Sequence, residues 1–147
     1  MCKKCNYTKI LDNSGLEPTT NRVQVLEVIG NTPYPLSAAD IYATISRHQG
    51  INKVTVYRIL DLLVEKSILE RLSTGGRAAH FGLAPNEHHA RHAHFYCTRC
   101  GQMDCLHPQS MNVDTDNLQK TFPGEIGRIE IRVDGVCKNC LKLQNQR

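Results

Sequence analysis

Val54-Thr55-Val56-Tyr57-Arg58-Ile59-Leu60-Asp61-Leu62-Leu63 is the stretch that decides the fold. Val56, Ile59, Leu60 and Leu63 recur at spacings of three and four, so they form one apolar face of a helix. Asn52 stands where an N-cap is needed. Lys53, Thr55, Tyr57, Arg58 and Asp61 are left off that face. Taken alone, they read equally well as an ordinary solvated surface. The setting argues for more. Downstream, residues 68–72 and 78–83 read as two strands around a Thr74-Gly75-Gly76-Arg77 turn. Upstream, one helix follows Pro18-Thr19 on Val23, Leu26 and Ile29. A second starts at Ser37, with Asp40 three residues on and Ile41, Tyr42 and Ile45 as its stripe. Three helices and a hairpin make a winged helix-turn-helix, whose last helix enters the major groove of duplex DNA while the hairpin tip meets the backbone. Lys53, Thr55, Tyr57 and Arg58 are then candidate DNA contacts, and Arg77 is placed for a phosphate.

Composition changes near residue 85. The chain is expected to divide into a DNA-binding domain over residues 1–84 and a strand-rich metal-binding domain over 85–147, hinged near Pro85. In the second part Ile129, Ile131 and Val133 alternate with charged residues, as in a half-buried strand, and residues 111–122 read as a helix. The formal charge of +4 permits a nucleic-acid partner without demanding one. No apolar run approaches a membrane span and no signal peptide is visible, so a cytoplasmic protein with reduced thiols is expected.

Seven cysteines and seven histidines in 147 residues are the unusual feature. Cys97-x-x-Cys100 and Cys137-x-x-Cys140 are two pairs of the kind that turn both sulfurs toward one ion, and together they make a closed tetrahedral zinc shell. Two disulfides are the competing reading. A closed shell leaves no position for a reacting water, so this site is structural. His80, His88, His89, His92, His94, Cys105 and His107 crowd the same region. His92 and His94, two apart, share one side of a strand. A second ion held by these two and by His80 would tie the two halves together, and such an ion is a switch. Cys105 reads either as a further ligand or as a small buried hydrophobe. No His-Glu-x-x-His and no deaminase signature occurs, so an enzyme and a small-molecule substrate are not expected.

The chain resembles the ferric uptake regulator family from about residue 10 to 143. The resemblance is carried by Thr20-Asn21-Arg22, Ser37-Ala38-Ala39-Asp40-Ile41-Tyr42, Thr55-Val56-Tyr57-Arg58, Gly75-Gly76, His92-Ala93-His94-Phe95-Tyr96-Cys97-Thr98-Arg99-Cys100-Gly101 and Gly135-Val136-Cys137-Lys138-Asn139-Cys140. It implies an α+β protein: an N-terminal winged helix followed by a small α/β dimerisation domain. It also implies a homodimer that represses transcription from an inverted-repeat operator in double-stranded DNA when its regulatory metal is bound. Arg22 joins the DNA-binding set on this ground, and Tyr57 is expected on thymine methyl groups.

The departures matter. Pro35 stands where many members have a regulatory histidine, Gly82 where many have a carboxylate, and Cys105 where many have an acidic residue. Ile129 replaces a histidine that serves an extra site in some members. The resemblance so amended gives His80, His92, His94 and Cys105 as a regulatory site, with His88, His89 and His107 standing behind them. Zn²⁺ is the expected ion, ahead of Fe²⁺ or Mn²⁺, because nitrogen and sulfur replace oxygen. Two other readings stay open: a thiol-redox, peroxide- or iron-responsive regulator of the same fold acting through Cys105 or the Cys2/Cys5 pair, and, more distantly, a zinc-binding or buffering protein.

Overall fold

A computed structural model describes residues 5–76, 78–86 and 90–145. The expectations placed on Cys2, Arg77, His88 and His89 lie outside these residues. The chain divides into two compact units, one ending at Ala90 and one beginning at Arg91, a break that falls beyond the 84/85 boundary read from composition.

The first unit is helical, with a small sheet. Helices α2 (Thr20–Asn31), α3 (Ala38–Ser46) and α4 (Lys53–Glu65) sit where periodicity placed them. Each begins at the expected cap. Thr19 Oγ1 accepts from Arg22 N at 3.3 Å, Ser37 Oγ from Asp40 N at 3.2 Å, and Asn52 Oδ1 from Val54 N at 2.8 Å. These bonds occupy backbone donors that a helix start leaves without intrahelical partners. Val56, Ile59, Leu60 and Leu63 of α4 pack with Val25, Leu26, Ile29, Ile41 and Ile45 in one core.

A further helix, α1 (Tyr7–Asn13), was not foreseen. It is short, and only Leu11 is fully buried, so it carries no readable stripe. Tyr7 lies against Gly30, where no Cβ would fit. Gly30 therefore marks a helix-to-helix contact, and α2 continues through it to Asn31.

The wing is formed by β2 (Leu69–Leu72) and β3 (His80–Leu83), antiparallel with Leu69 opposite Leu83 and Leu72 opposite His80. Pairing is shorter than expected. Ala78 and Ala79 belong to the connecting loop, where Gly75 and Gly76 take φ of 71° and 125°. A two-residue β1 (Leu36–Ser37) pairs with β3 on its other edge, giving the order β1-β3-β2. Between α4 and β2, Ser67 adopts φ 60°. Ile68 N donates to Leu63 O at 2.9 Å and Ser67 N to Val64 O at 3.0 Å. This is a Schellman ending with serine in the left-handed position that glycine usually fills.

The second unit holds a mixed sheet of order β5-β4-β6: β4 (His94–Cys97) at the centre, β5 (Met103–Cys105) antiparallel and β6 (Arg132–Gly135) parallel to it. The strand expected from the alternation at 129–133 starts later, at Arg132. Its partner β4 begins only at His94, so the preceding residues have little to pair with beyond the His94 N to Ile131 O bond of 3.0 Å. The crossover to the parallel strand contains α5 (Thr115–Thr121), shorter than the expected 111–122. Asp114 caps its start, accepting from Asn117 N at 2.9 Å, and Pro123 follows its end. Helix α6 (Lys138–Asn145) closes the described chain. The buried apolar set of this unit is small: Ala93, Tyr96, Cys97 and Met103. A core that thin needs a cross-link.

Among the described residues, no helix is long and apolar enough to cross a membrane.

Candidate metal centre and nucleic-acid face

The four cysteines of this unit gather at one end of its sheet. Cys97 ends β4, and Gly101, at φ 78°, turns the chain so that its N–H donates back to Cys97 O at 2.9 Å and Cys100 comes round beside Cys97. Cys137 follows β6, and Cys140 lies on the first turn of α6. The parallel pairing of β4 with β6, which sets Cys97 opposite Gly135, brings the two pairs together. Sulfur–sulfur separations are 3.8 Å for Cys97–Cys140 and 3.8 Å for Cys100–Cys137. All four sulfurs lie within 4.8 Å of one another. A tetrahedron with Zn–S bonds of about 2.3 Å has edges of about 3.8 Å, so the spacing matches a shared zinc. It is far longer than the disulfide bond length of about 2.05 Å, and the four cysteines are free thiols.

The electrostatics agree. Burial pushes the Cys97 thiol up, but N–H donors from Cys100, Cys137 and Arg99 outweigh it and hold the thiol down at about 6. Two of those bonds measure 3.5 Å from Cys100 N and 3.3 Å from Cys137 N. Cys140 is pushed up to about 12 by its contact with Cys137, by burial and by the other two sulfurs. Without a cation the cluster therefore favours a mixture of thiolate and thiol. A fully ionised set needs a positive charge at its centre. The donor set thus fits a zinc ion, which would be held by all four thiolates.

A second group of donors lies on the same sheet. One ligand atom each from His92, His94 and Cys105 falls within 4.8 Å of the others. Cys105 on β5 is directly opposite His94 on β4. The two imidazole rings are 4.5 Å apart, centre to centre. His94 is only 4 % exposed. Burial first, then the neighbouring His92, lower its pKa to about 4, and Glu130 opposes the shift. A neutral imidazole keeps a lone pair for a metal. Cys105 is exposed, which sets aside its reading as a buried hydrophobe.

His107 is on an exposed loop after β5, where its Nδ1 accepts from Gln109 N at 3.1 Å. His80 is on β3 of the first unit, with its pKa lowered by burial against the opposing effect of a hydrogen bond with the Ala78 backbone.

On α4, Lys53, Tyr57 and Arg58 are exposed and Thr55 is half-buried. The Lys53 ammonium sits 5.8 Å from the Tyr57 ring centre. Asp61, on the same helix, pairs with Arg71 of β2 at 2.6 Å. Its negative charge is thereby offset, which leaves Lys53 and Arg58 to set the sign of the face. Val54, 51 % exposed, is an apolar member of this surface that the sequence reading passed over. Its position two residues before the core-facing Val56 was the available signal. Arg22 is half-buried, and its guanidinium donates to Glu17 O at 2.9 Å, so part of its role is to hold the entry to α2.

Comparison with known proteins agrees with this architecture. The profile of the Ferric uptake regulator family matches residues 13–130. The chain is 34 % identical over 121 residues to the Ferric uptake regulation protein of Yersinia pestis, covering 81 % of this chain and 77 % of the relative. Among solved structures, the Helicobacter pylori ferric uptake regulator Fur, reported with three functional metal-binding sites, superposes with TM-score 0.74 at 21 % identity, covering 96 % of this chain and 97 % of that one. A zinc uptake regulator complexed with zinc and DNA superposes with TM-score 0.65 at 21 % identity, covering 93 % and 91 % of the two chains. An α+β chain with a winged helix, a four-cysteine cluster and a family match over most of its length belongs to the ferric uptake regulator family of metal-responsive, DNA-binding transcriptional regulators.

Proposed function

We propose that this regulator is a zinc-responsive repressor that binds an inverted-repeat operator as a homodimer. The observation that carries the reading is the clustering of His92, His94 and Cys105. Two imidazoles and a thiolate favour Zn²⁺ over Fe²⁺ and Mn²⁺, which prefer oxygen donors. The four cysteines hold a structural zinc and sense nothing, because their shell is closed and its loss costs the fold of the second unit. His80 is retained as a candidate fourth ligand on its residue type and on the family resemblance. His80→Ala tests it by second-site affinity.

Dimerisation is supported by the second unit's surface. No residue of α5 is buried, and Leu118 and the adjoining Phe122 are 38 % and 50 % exposed. Apolar surface of that kind marks a partner contact. A dimer presents two copies of α4, so an inverted repeat is its natural target. Lys53, Thr55, Tyr57 and Arg58 would contact that site, with Arg22 and Arg77 on the flanking backbone.

The test is operator binding by fluorescence anisotropy in zinc-buffered solutions. Binding that appears at submicromolar free Zn²⁺ and disappears on mild chelation supports the proposal. The exposure of Cys105 favours a second reading, in which its oxidation is the signal. Binding indifferent to zinc, abolished by peroxide and restored by a dithiol, would establish that reading instead.

A further inference from the structure

Within the second unit, a cavity of about 450 Å³ opens beside the histidines. Its wall combines Arg91, His92, Asn112 and Thr115 with the apolar side chains of Met111, Val113, Ile129 and Ile131. Among the described residues, no aspartate or glutamate lines it. Among the described residues, no hydrogen bond or ion pair is made by the side chains of Arg91, Asn112 or Thr115. Arg91, Asn112 and Thr115 are exposed members of this wall, beside the half-buried Ile129 and Ile131. A hollow that joins apolar side chains to a few polar groups can take an amphipathic small molecule. The guanidinium selects the ligand's charge, because its fork of N–H donors matches a carboxylate.

We infer that this cavity binds an amphipathic monocarboxylate as an effector. Its carboxylate would lie on Arg91, with Asn112 and Thr115 as further donors and its apolar body on Ile129 and Ile131. His92 belongs both to this wall and to the His92, His94 and Cys105 cluster. A ligand that orders the His92 ring therefore changes metal affinity, and the metal changes ligand affinity by the same factor. This coupling rests on the metal reading above; the binding itself does not.

Benzoate serves as the probe. It is titrated, by calorimetry and by ¹⁵N-edited NMR, into protein carrying zinc at the four cysteines only and into protein carrying zinc at both sites. The expected result is one benzoate per chain, with resonance changes confined to the surroundings of Arg91, Asn112, Thr115 and Ile129. Arg91→Met should weaken this at least tenfold while zinc content and oligomeric state stay unchanged. Absence of saturable binding in both forms overturns the proposal, as does equal affinity in Arg91→Met. Contacts between copies across the cavity without any benzoate response overturn it too, since a second chain then fills the space. If benzoate binds but no zinc enters the second site, only the metal reading and the coupling fail.

Discussion

Cys105 stands directly opposite His94 across the β4–β5 pair. One strand register thus places the thiol that distinguishes this chain beside a buried imidazole. Substituting that thiol should reveal what it contributes. With cobalt(II) in the second site, the wild type is expected to show a thiolate-to-metal charge-transfer band that disappears in Cys105→Ser. Loss of a ligand should weaken zinc binding there at least as much as loss of an outer-shell partner, about 10- to 100-fold. Cys105→Asp should move the preference toward Mn²⁺ and Fe²⁺. An unchanged band in Cys105→Ser excludes the thiol as a ligand.

The four-cysteine cluster makes a different prediction. Cys137→Ser, or stripping by a strong chelator, should melt the second unit, with loss of β-sheet circular dichroism and of chemical-shift dispersion for β4 to β6. Structural zinc contributes about 10–16 kcal/mol in small domains, far more than the few buried side chains here supply. A stripped protein that keeps its dispersed spectrum contradicts the assignment.

Arg58→Ala and Tyr57→Ala should leave both metals bound and weaken operator affinity. If Arg58 meets a phosphate, the slope of log affinity against log salt falls by about 1. If it reads a base, the loss is about 1–3 kcal/mol and specificity relaxes at one position. Wild-type affinity in both variants removes α4 from the interface.

His94 predicts a pH dependence. Its folded pKa of about 4 lies below the ordinary 6.5. The unfolded chain therefore takes up a proton that the folded chain refuses, and stability present above pH 6.5 is lost as pH falls toward 4. The loss reaches at most about 3 kcal/mol. The comparison is with His94→Gln, the second site empty in both, followed by urea midpoints. An NMR titration should place the His94 midpoint near 4; a midpoint near 6.5 is the contrary result.

Ser67 offers a test independent of function. It occupies the left-handed position after α4 at φ 60°. Ser67→Gly should raise stability by about 0.5–1 kcal/mol, since glycine takes this conformation without the Cβ penalty. A decrease measured by thermal unfolding contradicts this account of the helix end.

Much of this was legible before the structure. Helices α2, α3 and α4 announce themselves through Thr19, Ser37 and Asn52 and through stripes long enough to show a period. Helix α1 does not, because one buried leucine in seven residues has no period to read. Residues 78–79 and 129–131 carry strand-like sequence but lie outside the strands, since alternation reports which face is buried while pairing depends on a partner found elsewhere in the chain. The four cysteines were readable from spacing alone. Of the proposed second site, His92 and His94 follow from their spacing and Cys105 from the family resemblance, while the register that sets Cys105 beside His94 is a long-range fact. The Arg91 cavity had no signature, because its wall is gathered from three separate stretches.

The most direct test counts zinc. Wild-type protein and the His92→Ala/His94→Ala double variant are purified, equilibrated at buffered submicromolar zinc, and analysed for zinc per chain alongside operator binding. The account predicts two equivalents in the wild type and one in the variant, which stays folded and dimeric but no longer binds the operator. A variant that keeps two equivalents, or that unfolds, contradicts the division between a structural and a sensing site.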